Sequence, residues 1–279
     1  MEGESKKLSS VNENPKQPIL ENLISNFSKE KFDYVFKEVT KLLSDYPKSF
    51  KLWNILGAVN TQMQRPQDAM QCYEKTISLR PDYAEAHNNL GNLLQNEGQH
   101  EKAIVSYEKA LSIKPDLYET SYNLGTIFQE REEYSFAITM YIKALDTKPN
   151  HRDSLINLSD VFRRQHKFDE SLRVLHKAEK LYPNSAETKN NFGLTYRDQG
   201  KLGKAIRSYE EAISLNTNYA EAYNNLGIVF RDQGNFEKAV TSYEKAIEIK
   251  PDFAEAYANI SKIKNCKHQD IQVDQMERI

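Results

Sequence analysis

The sequence is poor in residues that build disulfide scaffolds and metal centres. Only two of its 279 residues are cysteine, Cys72 and Cys266, and they stand far apart in the chain. This pattern makes no disulfide framework, and a reducing, cytoplasmic compartment is the simplest interpretation. The six histidines do not recur at the i, i+3 or i, i+4 spacing of metal ligands on a helix. We therefore expect no metal and no cofactor.

Long hydrophobic runs and an excess of one charge are also missing. No segment approaches the roughly 18 apolar residues that a membrane span requires, and the first residues lack the apolar stretch of a secretory signal. The 38 basic and 40 acidic residues nearly cancel, so no global field attracts nucleic acid or an anionic membrane. We expect neither as a partner.

Recognisable catalytic motifs are absent as well. The sequence contains no Gly-x-Ser-x-Gly, no glycine-rich phosphate loop after a strand and no His-Glu-x-x-His. We therefore expect that the chain is not an enzyme by itself.

The sequence does contain a strict internal repeat. Asparagine recurs at intervals of 34 residues, at Asn89, Asn123, Asn157, Asn191, Asn225 and Asn259. A period in this range indicates a solenoid of stacked repeats. Within each repeat, apolar residues such as Leu90, Leu93 and Leu94 recur at helical spacing, which predicts two amphipathic helices per unit.

Glycine and proline mark the predicted helix ends. Glycine ends the first helix of several units, because it accepts the left-handed conformation, and proline stops the second helix. These residues are Gly98, Gly200 and Gly234 in the first case, and Pro81, Pro115, Pro149, Pro183 and Pro251 in the second. Thr217 replaces the proline in one unit, so we expect a looser helix end there.

Small residues recur in both helices of a unit. They are Gly57, Gly91, Gly125, Gly193 and Gly227 in the first helix, and Ala69, Ala103, Ala137, Ala205 and Ala239 twelve residues later. They predict close helix packing. Ser159 and Ser171 take these places in one unit, and both remain small.

These positions resemble the tetratricopeptide repeat family. Its signature appears at Trp53, Leu56 and Gly57, followed by Ala69, Tyr73 and Pro81. The resemblance implies an all-α solenoid of antiparallel helix pairs, a right-handed superhelix whose first helices line the concave face. We divide the chain into a polar, disordered tail (1–15), a degenerate repeat (16–49), six full repeats (50–253) and a partial repeat with a cap or truncated junction (254–279).

The recurring asparagines suggest a peptide-binding groove. An amide carries donors and an acceptor that match a peptide backbone, and the spacing of stacked helices, ~10 Å, fits about three extended residues. The repeat region of O-linked GlcNAc transferases is similar in having an asparagine ladder for substrate polypeptide. The alternative is structural, with each asparagine tying adjacent repeats together. Because Ile55 and Glu21 replace asparagine in the earlier copies, we expect the groove to fade toward the N-terminus.

A second mode known in the resembled family, capture of a C-terminal carboxylate by lysines and asparagines, is not favoured. The residues at the corresponding place, one before each ladder position, include no lysine. They are Asn54, Asn88, Tyr122, Ile156, Asn190 and Asn224.

Arginine recurs at the same interval in three units, as Arg163, Arg197 and Arg231. A planar guanidinium suits acidic side chains, phosphate or sulfate. The alternative is surface pairing with Glu187, Glu221 or Glu255 of neighbouring units, which contributes only ~0–1 kcal/mol per pair. With the ladder, these arginines form the predicted peptide-binding site.

The leading hypothesis is a non-catalytic scaffold that holds an extended, partly acidic peptide or protein partner. The alternative is the substrate-recruiting region of an enzyme whose catalytic domain is absent. The residues from Ser261 to Ile279 resemble the junction that leads into a sulfotransferase domain in bacterial repeat proteins. A third hypothesis is self-association through the C-terminal end.

Overall fold

A computed structural model describes residues 13–263 of the chain, and within this stretch all regular structure is helical. The helices are α1 (Gln17–Ser28), α2 (Phe32–Asp45), α3 (Phe50–Gln62), α4 (Pro66–Leu79), α5 (Ala84–Asn96), α6 (His100–Ile113), α7 (Tyr118–Glu130), α8 (Tyr134–Thr147), α9 (Arg152–Arg164), α10 (Phe168–Leu181), α11 (Ala186–Asp198), α12 (Leu202–Leu215), α13 (Ala220–Asp232) and α14 (Phe236–Ile249). A further helix begins at residue 254 and is described to residue 263. The predicted cap or junction at 264–279, and most of the predicted tail, lie outside the described residues.

The helices form two compact units, which we call unit 1 (Met1–Arg131) and unit 2 (Glu132–Ile279). In unit 1, α3 packs on α4 and α5 packs on α6. In unit 2, α9 packs on α10, α11 on α12 and α13 on α14. From α3 onward a helix of 13 residues alternates with one of 14 residues. The predicted all-α fold of helix pairs is confirmed.

The first helix of each pair ends in a left-handed residue. Gly98, Gly200 and Gly234 have φ angles of +70°, +73° and +75°, as the sequence predicts. Other repeats place a non-glycine residue here, for example His166 with φ +57°. A side chain in this conformation costs roughly 1 kcal/mol.

The expectation of a looser helix end at Thr217 is wrong. Helix α12 ends at Leu215 after 14 residues, and α14, which is followed by proline, has the same length. The reason is a side-chain substitute for the proline, since the Oδ1 of Asn216 accepts a hydrogen bond from the backbone N–H of Asn218 at 3.0 Å. Such a turn stops a helix without the proline ring.

The small residues of the repeat make room for a tyrosine ring. A Cβ atom added at Gly91 would lie 2.6 Å from the Tyr107 ring, and Gly57, Gly193 and Gly227 face the tyrosine of their own repeat in the same way. In one repeat Ser159 stands at the glycine position, and there the smaller Leu175 replaces the tyrosine. Both side chains are buried, so the packing predicted for this unit is confirmed.

Two kinds of structural feature are absent from residues 13–263. No helix there has both the length and the apolar character to cross a membrane. The same residues contain no group of three or more histidine, cysteine, aspartate or glutamate side chains placed to hold a metal ion.

Candidate functional site

The first helices of the repeats carry the six recurring asparagines, which we call the ladder. Unit 1 holds Asn89 on α5 and Asn123 on α7, and unit 2 holds Asn157 on α9, Asn191 on α11, Asn225 on α13 and Asn259 in the helix at 254–263. The surface that the first helices form within each unit is called the first-helix face below.

Three ladder asparagines are bonded to an asparagine 35 residues earlier, in the preceding repeat. In each bond the Nδ2 of the ladder residue donates to the Oδ1 of the asparagine 35 residues earlier, in the pairs Asn89–Asn54 (3.2 Å), Asn225–Asn190 (3.0 Å) and Asn259–Asn224 (3.2 Å). The acceptors Asn190 and Asn224 are 5% and 2% exposed. These bonds tie neighbouring repeats, as the structural interpretation expects. The signal in the sequence is an asparagine 35 residues before the ladder position, as at Asn54, Asn190 and Asn224.

Asn123 takes part in a different network. Its Nδ2 donates to the Oδ1 of Asn92 at 2.8 Å, and the hydroxyl of Tyr107 donates to the same oxygen at 2.8 Å. Asn88, the expected tie partner, instead accepts from the Thr120 hydroxyl at 2.7 Å. Sequence reasoning missed Asn92 and Thr120, which hold α5 and α7 together.

Asn191 differs from the tied residues because Ile156 occupies the acceptor place in the preceding repeat. The Asn191 backbone oxygen accepts from Thr195, but its side-chain amide makes no hydrogen bond to another residue between 13 and 263. The residue is half-buried. Asn157 has a long bond, 3.4 Å, to the Tyr141 hydroxyl. The centre of unit 2 therefore holds an amide that the described chain does not use.

The hydrogen bond to the preceding repeat uses only part of the hydrogen-bonding capacity of the asparagine amide. Each amide has two N–H groups and an oxygen with two lone pairs, and the bond from Asn225 to Asn190 uses one N–H. The tie fixes the orientation of the amide and leaves its second N–H and its oxygen. Structural and binding roles are therefore compatible at a tied position.

Arg163 lies in a network of charges at the ends of α9 and α11. It pairs with Asp160 at 2.5 Å and with Asp198, and its side chain is only 15% exposed. Arg164 pairs with the other oxygen of Asp160 at 2.7 Å. Burial alone would lower the pKa of the Arg163 guanidinium, but the two carboxylates outweigh it and raise that pKa.

The other two arginines are paired with the next residue in the chain. Arg197 contacts Asp198 at 3.1 Å and Arg231 contacts Asp232 at 2.7 Å, with 23% and 30% of the arginine side chains exposed. All three predicted arginines therefore have an acidic partner within the chain. Arg231 is the most exposed of them.

The glutamates suggested as partners of the arginines are the wrong residues. Glu187 lies in the first turn of α11 and pairs with Arg152 at 2.6 Å, and Glu221 lies in the first turn of α13 and pairs with Lys250 at 3.7 Å. Glu255 likewise lies near the start of its helix. Because the arginines occupy the last turn, about ten residues of helix, or ~15 Å, separate the two positions.

The family of the chain follows from its sequence patterns. Family models of the tetratricopeptide repeat match residues 57–98, 84–117, 120–153 and 184–252, which together cover more than half of the chain. The chain is a tetratricopeptide repeat protein. No curated protein matches it at a significant level. These matches describe the repeat itself and show no specific similarity to O-linked GlcNAc transferases or to repeat-containing sulfotransferases.

Solved structures agree with this assignment. YrrB, described as a tetratricopeptide repeat protein with an unusual peptide-binding site, is 27% identical over 68% of this chain and 97% of its own, with a TM-score of 0.53. A repeat protein from Parabacteroides merdae is 18% identical over 88% and 96% of the two chains, with a TM-score of 0.65. The Cut9–Hcn1 hetero-tetramer matches 90% of this chain at 17% identity and a TM-score of 0.67, and the match spans 50% of that chain. The last two show the fold alone.

Two tyrosine hydroxyls of this tetratricopeptide repeat protein lie beneath the arginines. Those of Tyr209 and Tyr243 are buried and have no hydrogen-bond partner among the described residues. Burial raises the pKa of Tyr243 to about 12, and it raises the pKa of Tyr209 as well. Tyr107 has partners because Asn92 and Gln95 stand above it, whereas Leu194 and Arg197 take these places above Tyr209.

At the N-terminal end of unit 1 the ladder stops, but the surface does not flatten. Ile55 replaces asparagine, and a cavity of about 330 Å³ lies there between α1 and α3. The polar ladder ends at Asn89, and toward the N-terminus this cavity takes its place.

Proposed function

We propose that this tetratricopeptide repeat protein is a non-catalytic scaffold that binds an extended polypeptide on the first-helix face of unit 2. Stacked repeats of this kind serve as binding surfaces for proteins and peptides, and YrrB is described as having a peptide-binding site. The proposed binding residues are Asn157, Asn191, Asn225 and Asn259, together with Arg163, Arg197 and Arg231. In unit 1, Asn89 and Asn123 stand at the equivalent positions.

The unused amide of Asn191 carries this proposal. A half-buried amide without a protein partner loses solvation and gains nothing in return. A peptide backbone supplies both an N–H for the amide oxygen and a carbonyl for the amide N–H. The tied Asn225 next along the face offers its remaining donor and acceptor in a fixed orientation, which lowers the entropy lost on binding.

Charge near the ladder favours a partly acidic partner. The ion pairs near the ladder involve four arginines and three aspartates, which leaves an excess of one positive charge. They are Arg163, Arg164, Arg197 and Arg231, with Asp160, Asp198 and Asp232. A carboxylate of the partner competes with Asp232 for Arg231, the most exposed of the three recurring arginines. We expect a modest acidic preference that weakens with salt.

A second candidate is the substrate-recruiting region of a glycosyltransferase or sulfotransferase. The resemblance of the ladder to that of O-linked GlcNAc transferases favours it. The same binding face would then deliver a polypeptide to a catalytic domain. Sequencing the reading frame beyond Ile279 discriminates, since a catalytic domain there supports recruitment and a stop codon supports the scaffold.

The test uses a displayed library of random 12-residue peptides, selected on the full chain. Enriched peptides are labelled with fluorescein and titrated by anisotropy against the wild type, Asn191→Ala and Asn184→Ala, an exposed turn residue that serves as the matched control. Loss of one or two hydrogen bonds predicts about 3- to 30-fold weaker binding to Asn191→Ala. The control should bind like the wild type. A library without any peptide that depends on Asn191 contradicts the proposal.

A further inference from the structure

The cavity between α1 and α3 of unit 1 is lined largely by two matched stripes of side chains, which are apolar except for Lys51. Leu20, Ile24 and Phe27 line it from α1, and Lys51, Ile55 and Ala58 line it from α3. Both sets follow the i, i+4, i+7 spacing of one helix face. We call this the α1–α3 groove. Its volume, about 330 Å³, lies at the lower end of the ~300–1,000 Å³ range of ligand pockets.

The groove exposes apolar surface that a ligand would cover. Ile24 is 54% exposed although it stands beside the buried Leu20. Ile55 is half-buried and occupies the ladder position, where the later repeats have asparagine. A backbone-binding amide is thus replaced by a side chain that offers only apolar contact. At the ladder position, therefore, this groove suits a side chain of the partner.

Lys51 adds a charge to one wall of the groove. It is half-buried, and no carboxylate of the described residues lies within ion-pair distance of it. Glu21, on α1, is exposed and accepts a hydrogen bond from Gln17 at 3.2 Å. A half-buried ammonium without a counter-ion favours a ligand that brings a carboxylate.

The distance between charge and apolar surface sets the spacing of the ligand. Lys51 and Ile55 are one helical turn apart, about 6 Å along α3. In an extended peptide, alternate side chains point to the same side and are about 6.6 Å apart. A peptide that runs along the groove would therefore place an apolar side chain at Ile55 and an acidic one, two residues away, at Lys51.

We propose that the α1–α3 groove binds an extended segment of a partner protein in which a large apolar residue and an aspartate or glutamate are separated by one residue. The apolar side chain inserts between Ile24 and Ile55, and the carboxylate pairs with Lys51. This site is separate from the first-helix face of unit 2 and does not depend on Asn191.

The same 12-residue library tests the groove. Peptides that bind the wild type are counter-selected on Ala58→Leu, in which the larger side chain fills the groove. They are also counter-selected on Lys51→Glu, which reverses the charge. Lys41→Glu, on the exposed side of α2, is the matched control. We expect the peptides lost on Ala58→Leu to share an apolar and an acidic residue at i, i+2, and to bind this variant at least ~10-fold more weakly. With Lys51→Glu the acidic preference should change to a basic one, and Lys41→Glu should leave it intact.

Several outcomes would overturn the proposal. If every selected peptide still binds Ala58→Leu, the groove binds no side chain. The same conclusion follows if the peptides that fail to bind Ala58→Leu have no apolar residue in common. An acidic preference that survives Lys51→Glu removes the role of the lysine. Sedimentation of the wild type tests a second copy as occupant, since a dimer abolished by Ala58→Leu would assign the groove to self-association instead. If Ala58→Leu loses helicity by circular dichroism, Ile24→Ser replaces it in the same selection.

Discussion

Alanine substitutions at two adjacent ladder positions should have opposite consequences for stability. Asn225 donates to the Oδ1 of Asn190 at 3.0 Å, and Asn190 is only 5% exposed, so water cannot readily replace the lost donor. Leaving a buried acceptor unsatisfied costs ~1–3 kcal/mol. We therefore expect Asn225→Ala to lower the free energy of unfolding by about 1–2 kcal/mol.

Asn191→Ala provides the contrast within the same unit. The Asn191 side chain makes no hydrogen bond within residues 13–263, and alanine is the better helix former by ~0.5 kcal/mol. We expect the free energy of unfolding to stay constant or to rise slightly. The difference between the two variants should then be at least ~1 kcal/mol.

Urea unfolding followed by circular dichroism at 222 nm measures both variants against the wild type. Because repeat arrays need not unfold in two states, hydrogen exchange of α11 and α13 locates the loss. We expect faster exchange in these helices for Asn225→Ala alone. The reasoning predicts that an asparagine bonded to the preceding repeat contributes to stability and that the unbonded Asn191 does not. Equal destabilisation by both substitutions, or no destabilisation by Asn225→Ala, would refute it. Weaker peptide binding by Asn191→Ala at unchanged stability assigns that residue to binding.

Two further predictions concern stability. Because His166 holds a φ of +57°, His166→Gly should raise the free energy of unfolding by roughly 1 kcal/mol in urea titrations, and Lys167→Gly, beside it, should not. Lys189 hydrogen-bonds Glu179 at 2.8 Å, which lowers the pKa of that carboxyl. The stabilisation is complete above the unfolded pKa of about 4.3 and is lost as pH falls through the folded pKa. Lys189→Met should therefore reduce the loss of stability between pH 5 and 3, and an unchanged pH profile would contradict the pair.

Much of the fold was predictable because its signals are local. A period of 34 residues, apolar residues at helical spacing, and glycine or proline at the ends specify helix pairs from short stretches of sequence. Gly98 and Gly200 indeed adopt positive φ angles. The expectation at Thr217 was wrong because proline is not the only residue that can end a helix. The Asn216 side chain accepts a hydrogen bond from the backbone N–H of Asn218 and forms a turn that ends the helix without proline.

The site was less predictable because its contacts join residues distant in sequence. Six identical asparagines behave in different ways. Asn190 accepts a hydrogen bond from Asn225, whereas Ile156 offers no acceptor to Asn191. Asn88 is present at the same place before Asn123, yet it bonds to Thr120 instead. Their role in peptide binding remains a prediction. The apolar groove at Ile55 also required the placement of α1 beside α3.

The order and type of the helices therefore follow from the chain itself, since helix formation depends on neighbours within a few residues. Whether a polar side chain bonds to its own protein or remains available to a partner depends on what the next repeat places against it. That was settled only when the helices packed, because a hydrogen bond forms within about 3 Å and a repeat pattern does not specify distances of that size.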